Sequence, residues 1–224
     1  HSWMKCAYAL KYDSPLRAQL GIKDYLAAPV LGVLHAPVHT MYAVPPPLVV
    51  PCLVAISQDQ ALACMEHLKV PARVAYNGVD LDFYRRADVA RTDRYLFLGR
   101  ISTIKGPQIA VDLARRMRFP LDLVGDDKIT GEPDLAQRMY QLAVGNVKYH
   151  GGVSREETVR WYSSAKAMLH CNLLFREPFG LAPVEAQACG LPVIAFDNGA
   201  MRETVKHGET GFLVPATHAG IDAM

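Results

Sequence analysis

The stretch "EPFGLAPVEAQACGLPVIAF", residues 177–196, combines a Pro-Phe-Gly turn, a helical segment and a short apolar run. We predict that the helix begins near Leu181, where Pro183 is tolerated because the first turn of a helix needs no N–H from it. The run "PVIAF" at 192–196 is typical of a buried strand. This order of elements predicts a parallel sheet.

Short apolar runs alternate with helical patterns from residue 94 onward. Strands are predicted at 95–99, 121–125, 147–150, 167–171, 192–196 and 211–214. In the helix predicted at 107–118, Ile109, Leu113 and Met117 are expected on the inner face. Ser154 and Glu157 form a capping box at the start of another helix. Six such strands indicate an α/β, doubly wound domain.

The first 90 residues are less regular. Strands are predicted at 30–34, 53–57 and 72–76, with a helix at 59–69. The polar stretch 81–93 is the expected boundary, which gives a partial domain with its linker at 1–90 and a second domain at 91–224. Since the chain opens on "HSW" and closes on "HAGIDAM", we expect a piece of a longer protein lacking roughly 80 residues of its first domain.

Composition excludes several classes of protein. The net charge is +2 and no basic run is long enough for a nucleic-acid tail or a polybasic anchor. The run 43–56 contains four prolines and is too short to span a bilayer, which leaves peripheral membrane contact open. Five cysteines without metal-ligand spacing predict reduced, buried thiols in a cytoplasmic protein. The oligomeric state is not predicted.

The two glutamates of the opening stretch flank the start of its helix. The N–H groups of Phe179, Gly180 and Leu181 are among those left unpaired there, and the helix dipole adds positive charge, as a phosphate site requires. Glu177 and Glu185 lie on either side of this turn, and a carboxylate can accept two hydroxyl hydrogen bonds from a sugar or ribose. Glutamate near a helix start is also favourable without any ligand.

Two cations follow the first strand of the second domain. Arg100 and Lys105, in "FLGRISTIKG" at 97–106, should project from the carboxyl edge of the sheet, where doubly wound folds bind ligands. A single Arg or Lys in such a loop is often merely solvated. Beside the glutamate turn, however, both cations favour a site for a diphosphate.

These motifs together resemble glycosyltransferase family 4, the retaining enzymes of GT-B fold. The matching strings, all within residues 94–215, are "GR" and "KG", "YHGGVSREETVRWYSSA", "EPFGLAPVEAQACGLPVIA" and "ETVKHGETGFLVP". Weaker likeness extends upstream to "PVLGVLHAP", "SQDQA" and "NGVDLDFY". The resemblance implies two Rossmann-like domains, the second of which binds the donor, and transfer of a sugar from a nucleoside-diphosphate sugar to an acceptor hydroxyl.

Site residues implied by the resemblance carry over position by position. Glu177 would hold hydroxyls of the donor sugar and Glu185 the ribose. Arg100 and Lys105 would hold the diphosphate together with the backbone amides of residues 179–181, and His35 would face the transferred sugar. Further nucleotide-binding positions are the glycines that end the first two strands, Gly99 and Gly125. His39 is an alternative to His35, and either histidine can instead be structural.

Two segments depart from the family pattern. Cys171 and Asn172 stand where the family often has Pro-Ser, and the second strand ends in "GDD" instead of Gly-x-Gly. The donor base, the sugar and the acceptor therefore stay open.

The sequence offers three alternatives to this function. The chain could be a nucleotide-sugar binding or regulatory module without catalysis. It could be a metal-dependent transferase of another fold, since Asp80 and Asp82 form an Asp-x-Asp triplet, although two carboxylates are an incomplete shell. A dinucleotide oxidoreductase is disfavoured because no GxGxxG follows any predicted strand. We expect no bound metal and no cofactor other than the donor substrate, because fixed cations can neutralise the diphosphate.

Overall fold

The computed structural model describes residues 31–33, 52–128, 132, 134–217, 220–221 and 224. The chain forms two compact units, residues 1–76 and 77–224. The first unit contains the strands β1 (Leu31–Val33), β2 (Cys52–Ala55) and β3 (Ala72–Val74), which pair in parallel in that order. Helix α1 (Gln58–Ala63) follows β2 and ends in the π-helical turn Cys64–Leu68. Ser57 caps α1 by accepting the N–H of Gln60.

The second unit alternates strands and helices along its whole length. Its elements are β4 (Tyr95–Leu98), α2 (Pro107–Met117), β5 (Leu121–Val124), α3 (Leu135–Leu142), β6 (Val147–Tyr149), α4 (Arg155–Ser164), β7 (Met168–His170), α5 (Leu181–Ala188), β8 (Val193–Phe196), α6 (Met201–Thr204) and β9 (Gly211–Val214). All six strands pair in parallel in the order β6-β5-β4-β7-β8-β9. The strand order reverses between β4 and β7, the point at which such sheets bind ligands.

Both faces of the six-stranded sheet are covered. Successive residues of β4 point to opposite sides, with Leu96 in one apolar cluster and Phe97 in the other. Burial on both faces explains why these strands read as continuous apolar runs instead of alternating ones.

The predicted α/β, doubly wound fold is confirmed, and each predicted strand exists within one or two residues of its expected bounds. The capping box of Ser154 and Glu157 is also present. The expectation for Met117 was wrong, because this side chain is 65% exposed at the end of α2. The expectation holds for Leu113, which is buried together with Ala110, Val111 and Ala114, and for Ile109, which packs partly buried against the core.

The stretch predicted as an interdomain boundary contributes to the second unit. Residues 77–90 belong to this unit. Tyr84 is 5% exposed and packs in the same apolar cluster as Leu96. The compact units divide between Tyr76 and Asn77, upstream of the predicted boundary at 81–93.

Cysteines Cys64, Cys171 and Cys189 are buried and unpaired, as predicted for these three positions. In the described ranges, no helix combines the length and the apolar character that a membrane crossing requires.

Candidate functional site

The candidate site lies at the carboxyl ends of β4 and β7, which are neighbours at the reversal of strand order. β4 leads into the turn that carries Arg100 and Lys105, and β7 leads into the loop that carries Glu177. The two loops pack closely at Gly106, whose φ is +70° and where a Cβ atom would overlap the carbonyl oxygen of Cys171. Glycine at this position therefore allows the two loops to meet.

Lys105 and Glu177 form an ion pair across these loops. Nζ of Lys105 lies 2.5 Å from Oε2 of Glu177, and the two side chains are only 16% and 8% exposed. The same ammonium lies 4.8 Å from the centre of the Phe175 ring. The sequence predicted both residues for one ligand site but did not predict that they would pair with each other.

Two further side chains converge on the same carboxylate oxygen. The amide Nδ2 of Asn172 donates a hydrogen bond to Oε2 of Glu177. Nε2 of His170 lies 3.5 Å from this oxygen, which is long for a hydrogen bond but close for an electrostatic contact. The other oxygen of Glu177, Oε1, has no hydrogen-bond partner among the described residues.

The Glu177 carboxyl is held in its ionised form despite being buried. Burial alone raises the pKa of this group, but the opposing effects of His170 and of the Lys105 charge outweigh it and hold the pKa at about 2, below its ordinary 4.5. A buried carboxylate with one saturated and one open oxygen is suited to accepting a hydrogen bond from a ligand.

The turn after β8 holds the loop that presents Glu177. Asn198 donates from Nδ2 towards the carbonyl oxygens of Asn172, Leu173 and Phe175, at 3.0 to 3.2 Å. The N–H of Ala200 donates to the carbonyl oxygen of Glu177 at 2.8 Å. Sequence reasoning missed this clamp, although an Asn two residues after a strand at the carboxyl edge was an available signal.

Helix α5 begins at Leu181, as predicted, with Gly180 as its N-cap at φ +84°. Phe179 and Gly180 are buried, whereas Leu181 is 46% exposed. The first N–H groups of α5 have no partners within the helix. The predicted start of the helix is thus confirmed, and it lies beside the loop of Glu177.

Glu185 faces α4 from inside α5. Its Oε2 accepts a hydrogen bond from the hydroxyl of Tyr162 at 3.1 Å. Burial, and then the Glu185 charge, raise the pKa of Tyr162 well above 10, so this phenol stays a donor. Nε of Arg155 donates to the hydroxyl of Tyr84 at 3.4 Å, and Glu185 also interacts with this phenol. Glu185 is thereby oriented by neighbours that sequence reasoning did not identify.

The remaining predicted residues occupy the same edge of the sheet. Arg100 is exposed and forms no ion pair with another described residue. Gly99 and Gly125 end β4 and β5, and Gly125, at φ +144°, lies so close to the Gly99 carbonyl that a Cβ atom would overlap it. His35 and His39 lie outside the described residues.

The Asp-x-Asp triplet serves the local turn. Oδ1 of Asp80 accepts the N–H groups of Asp82 and Phe83, both at 3.0 Å. Asp82 pairs with Arg85 at 3.3 Å and is almost fully exposed. In the part of the chain that the structure describes, no group of three His, Cys, Asp or Glu side chains is placed to hold a metal ion.

Comparison with protein families gives a match to "Glycosyl transferases group 1" over residues 85–222. The chain is 32% identical over 169 residues to a D-inositol 3-phosphate glycosyltransferase of Frankia alni, covering 63% of this chain and 41% of the relative. It is 29% identical over 190 residues to the Streptomyces bingchenggensis enzyme of the same name. This match covers 73% of this chain and 41% of the relative. The chain thus spans about two fifths of the length of these curated relatives.

Solved structures agree with this match. The chain is similar to Anabaena Alr3699/HepE in complex with UDP-glucose, with 27% identity and a TM-score of 0.63, covering 73% of this chain and 50% of that one. The chain is also similar to sucrose-phosphate synthase from Thermosynechococcus elongatus, with 23% identity and a TM-score of 0.70. This match covers 99% of this chain and 66% of the synthase chain, and it supports the fold alone. The expected GT-B architecture is confirmed.

Proposed function

Because the chain belongs to the glycosyl transferases of group 1, we propose that it moves a sugar from a nucleoside-diphosphate sugar to an acceptor hydroxyl, with retention of configuration and without a metal ion. The observation that carries the proposal is the buried, ionised Glu177 at the reversal of strand order, paired with Lys105 and open at Oε1. The UDP-glucose complex of the similar Anabaena protein supports the choice of donor class.

Each group at the edge of the sheet has a part in holding the donor. Oε1 of Glu177 accepts a hydroxyl of the sugar. Lys105 has three N–H donors, of which one points to Glu177, so the others are left for a phosphate oxygen. Arg100 and the first N–H groups of α5 add positive charge for the diphosphate. Glu185, oriented by Tyr162, accepts the ribose hydroxyls.

Transfer breaks the bond between the anomeric carbon and a phosphate oxygen, and the electron pair leaves with the diphosphate. Fixed cations and helix amides stabilise the charge that develops on this leaving group without reorganising. The acceptor oxygen bonds to the anomeric carbon on the same face, and its proton passes to the leaving phosphate oxygen. With a pKa of about 2, Glu177 is a weak base, so it binds the sugar and does not take this proton.

Titration calorimetry of this chain with UDP, GDP and ADP, and with UDP-glucose, GDP-mannose and ADP-glucose, tests the proposal. At least one nucleoside diphosphate and the corresponding nucleotide sugar should bind, and their binding should persist in excess chelator. Lys105→Ala should weaken nucleoside diphosphate about 10-fold or more, since a charged hydrogen bond contributes about 1.5–3 kcal/mol. Lys206→Ala, which removes an exposed lysine paired with Glu209, is the matched control and should leave binding unchanged.

An assay for transfer or hydrolysis of the nucleotide sugar that binds separates an enzyme from a binding module. Binding without turnover, also with a range of acceptor sugars, would favour the module. A chain that binds none of the six nucleotides would refute the proposed function. A strict requirement for magnesium or manganese would refute its metal independence.

A further inference from the structure

Asn172 has an unusual hydrogen-bonding arrangement for a buried amide. The residue is 2% exposed, its Nδ2 donates to Oε2 of Glu177, and its Oδ1 has no hydrogen-bond partner in the described part of the chain. A buried acceptor without a partner destabilises the folded state, whereas an apolar side chain of similar size would avoid that cost. What the amide gains at this position is its hydrogen bond to the Glu177 carboxylate, so its role is tied to that group.

The other two nitrogens at Oε2 provide less directional contacts. Lys105 carries a compact ammonium on a flexible stem, which attracts the carboxylate without fixing its rotation. Nε2 of His170 lies 3.5 Å away, beyond the usual length of a hydrogen bond. The planar amide of Asn172 is the group whose hydrogen bond defines how the carboxylate is turned.

The backbone that carries Asn172 is itself fixed. Its carbonyl oxygen accepts from Nδ2 of Asn198 at 3.0 Å, and the Glu177 carbonyl accepts from the N–H of Ala200. Both ends of the loop between the amide and the carboxylate are thus held by the turn after β8. An amide on such a held loop can position a neighbouring group within a few tenths of an ångström.

We propose that Asn172 is a positioning residue that, by holding Oε2 of Glu177, turns Oε1 towards a hydroxyl of the donor sugar. The inference rests on the proposed function and adds a residue that determines how the sugar part of the donor is recognised. Asn172 acts through Glu177 on the sugar and has no part in binding the nucleotide. Its loss should accordingly change affinity for the nucleotide sugar and leave affinity for the nucleoside diphosphate intact.

The experiment compares Asn172→Ala and Asn172→Leu with the wild-type chain. Calorimetry of the wild-type chain first identifies the nucleotide to which a sugar adds most affinity. Three pairs are compared: UDP with UDP-glucose, GDP with GDP-mannose, and ADP with ADP-glucose. In both variants, the ratio of nucleotide-sugar to nucleoside-diphosphate affinity should fall about 10-fold, which corresponds to about 1.4 kcal/mol. Diphosphate affinity should stay within about twofold, and the melting temperature of Asn172→Leu should not fall by more than a few degrees.

Asn146→Ala is the matched control. Its partly buried amide donates to the carbonyl oxygens of Ala114 and Phe119, before β6 and away from the carboxyl edge. This variant should melt at a lower temperature and keep the wild-type affinity ratio. The contrast separates an amide that stabilises the fold from one that positions a carboxylate.

Any of three results would overturn the inference while leaving the proposed function in place. One is an unchanged affinity ratio in the Asn172 variants. Another is a wild-type chain for which no sugar adds affinity to its nucleotide. Equal weakening of both ligands, with a drop in melting temperature like that of Asn146→Ala, would also assign Asn172 a merely structural role. A wild-type chain that binds no nucleotide would refute the proposed function itself.

Discussion

Glu177→Gln should change how the stability of the protein depends on pH. The carboxyl has an ordinary pKa of 4.5 and a folded-state pKa of about 2. Since the folded value is the lower one, this group stabilises the folded state fully above pH 4.5 and loses that contribution as the pH falls through 2. The difference corresponds to about 3 kcal/mol at neutral pH, of which about 1 kcal/mol should be gone at pH 3.5.

Urea denaturation of wild type and Glu177→Gln at pH 7, 5, 4 and 3.5 measures this effect. The gap between the two free energies of unfolding should narrow by about 1 kcal/mol across that range. Glu209→Gln is the control, because its carboxylate is 61% exposed in a surface pair and contributes little. A gap that stays constant with pH would show that Glu177 is not held as a buried carboxylate by Lys105 and His170.

Three other changes give distinct results. Gly106→Ala should destabilise the chain by more than about 1 kcal/mol in urea denaturation, because the methyl group would clash with the Cys171 carbonyl and the positive φ is unfavourable for alanine. Gly208→Ala is the control: its methyl group would meet no neighbour, so only the cost of the positive φ should be seen. Lys105→Ala should weaken nucleoside diphosphate in calorimetry far more than the bare nucleoside, and equal losses would contradict a role on the phosphates. Glu185→Ala should weaken the bare nucleoside as well, and an unchanged nucleoside affinity would contradict a role on the ribose.

The fold was predictable because its determinants are local. Continuous apolar runs followed by amphipathic helices mark a two-sided parallel sheet, and Ser154 and Glu157 mark a helix start, whatever the rest of the chain does. Met117 was misplaced because the spacing of apolar residues does not say where a helix face meets the sheet. Residues 77–90 pack within the second unit through tertiary contacts such as that of Tyr84, which carry no periodic signal in the sequence.

The site was predictable in its parts but not in its connections. Glu177, Lys105 and the start of α5 were identified because strand ends in a doubly wound sheet meet at one edge. The ion pair between Lys105 and Glu177 was not predicted, because the two residues are 72 positions apart in sequence. They meet where Gly106 packs against the loop after β7. Asn172 stood out as a departure from a family pattern, and the side chain it contacts could be learned only from the structure.

The crowding of three nitrogens at one carboxylate oxygen bears on how the donor enters. Before the donor binds, Lys105 neutralises a buried carboxylate whose isolation would destabilise the protein by about 3–5 kcal/mol. An incoming diphosphate attracts the same ammonium. Because Asn172 and His170 also face Oε2, Lys105 can turn part of its hydrogen bonding towards phosphate without leaving Glu177 unpartnered. The proposed sugar-binding and phosphate-binding groups thus share one cation, and because His170 as well as Asn172 faces Oε2, this sharing does not depend on the Asn172 amide alone.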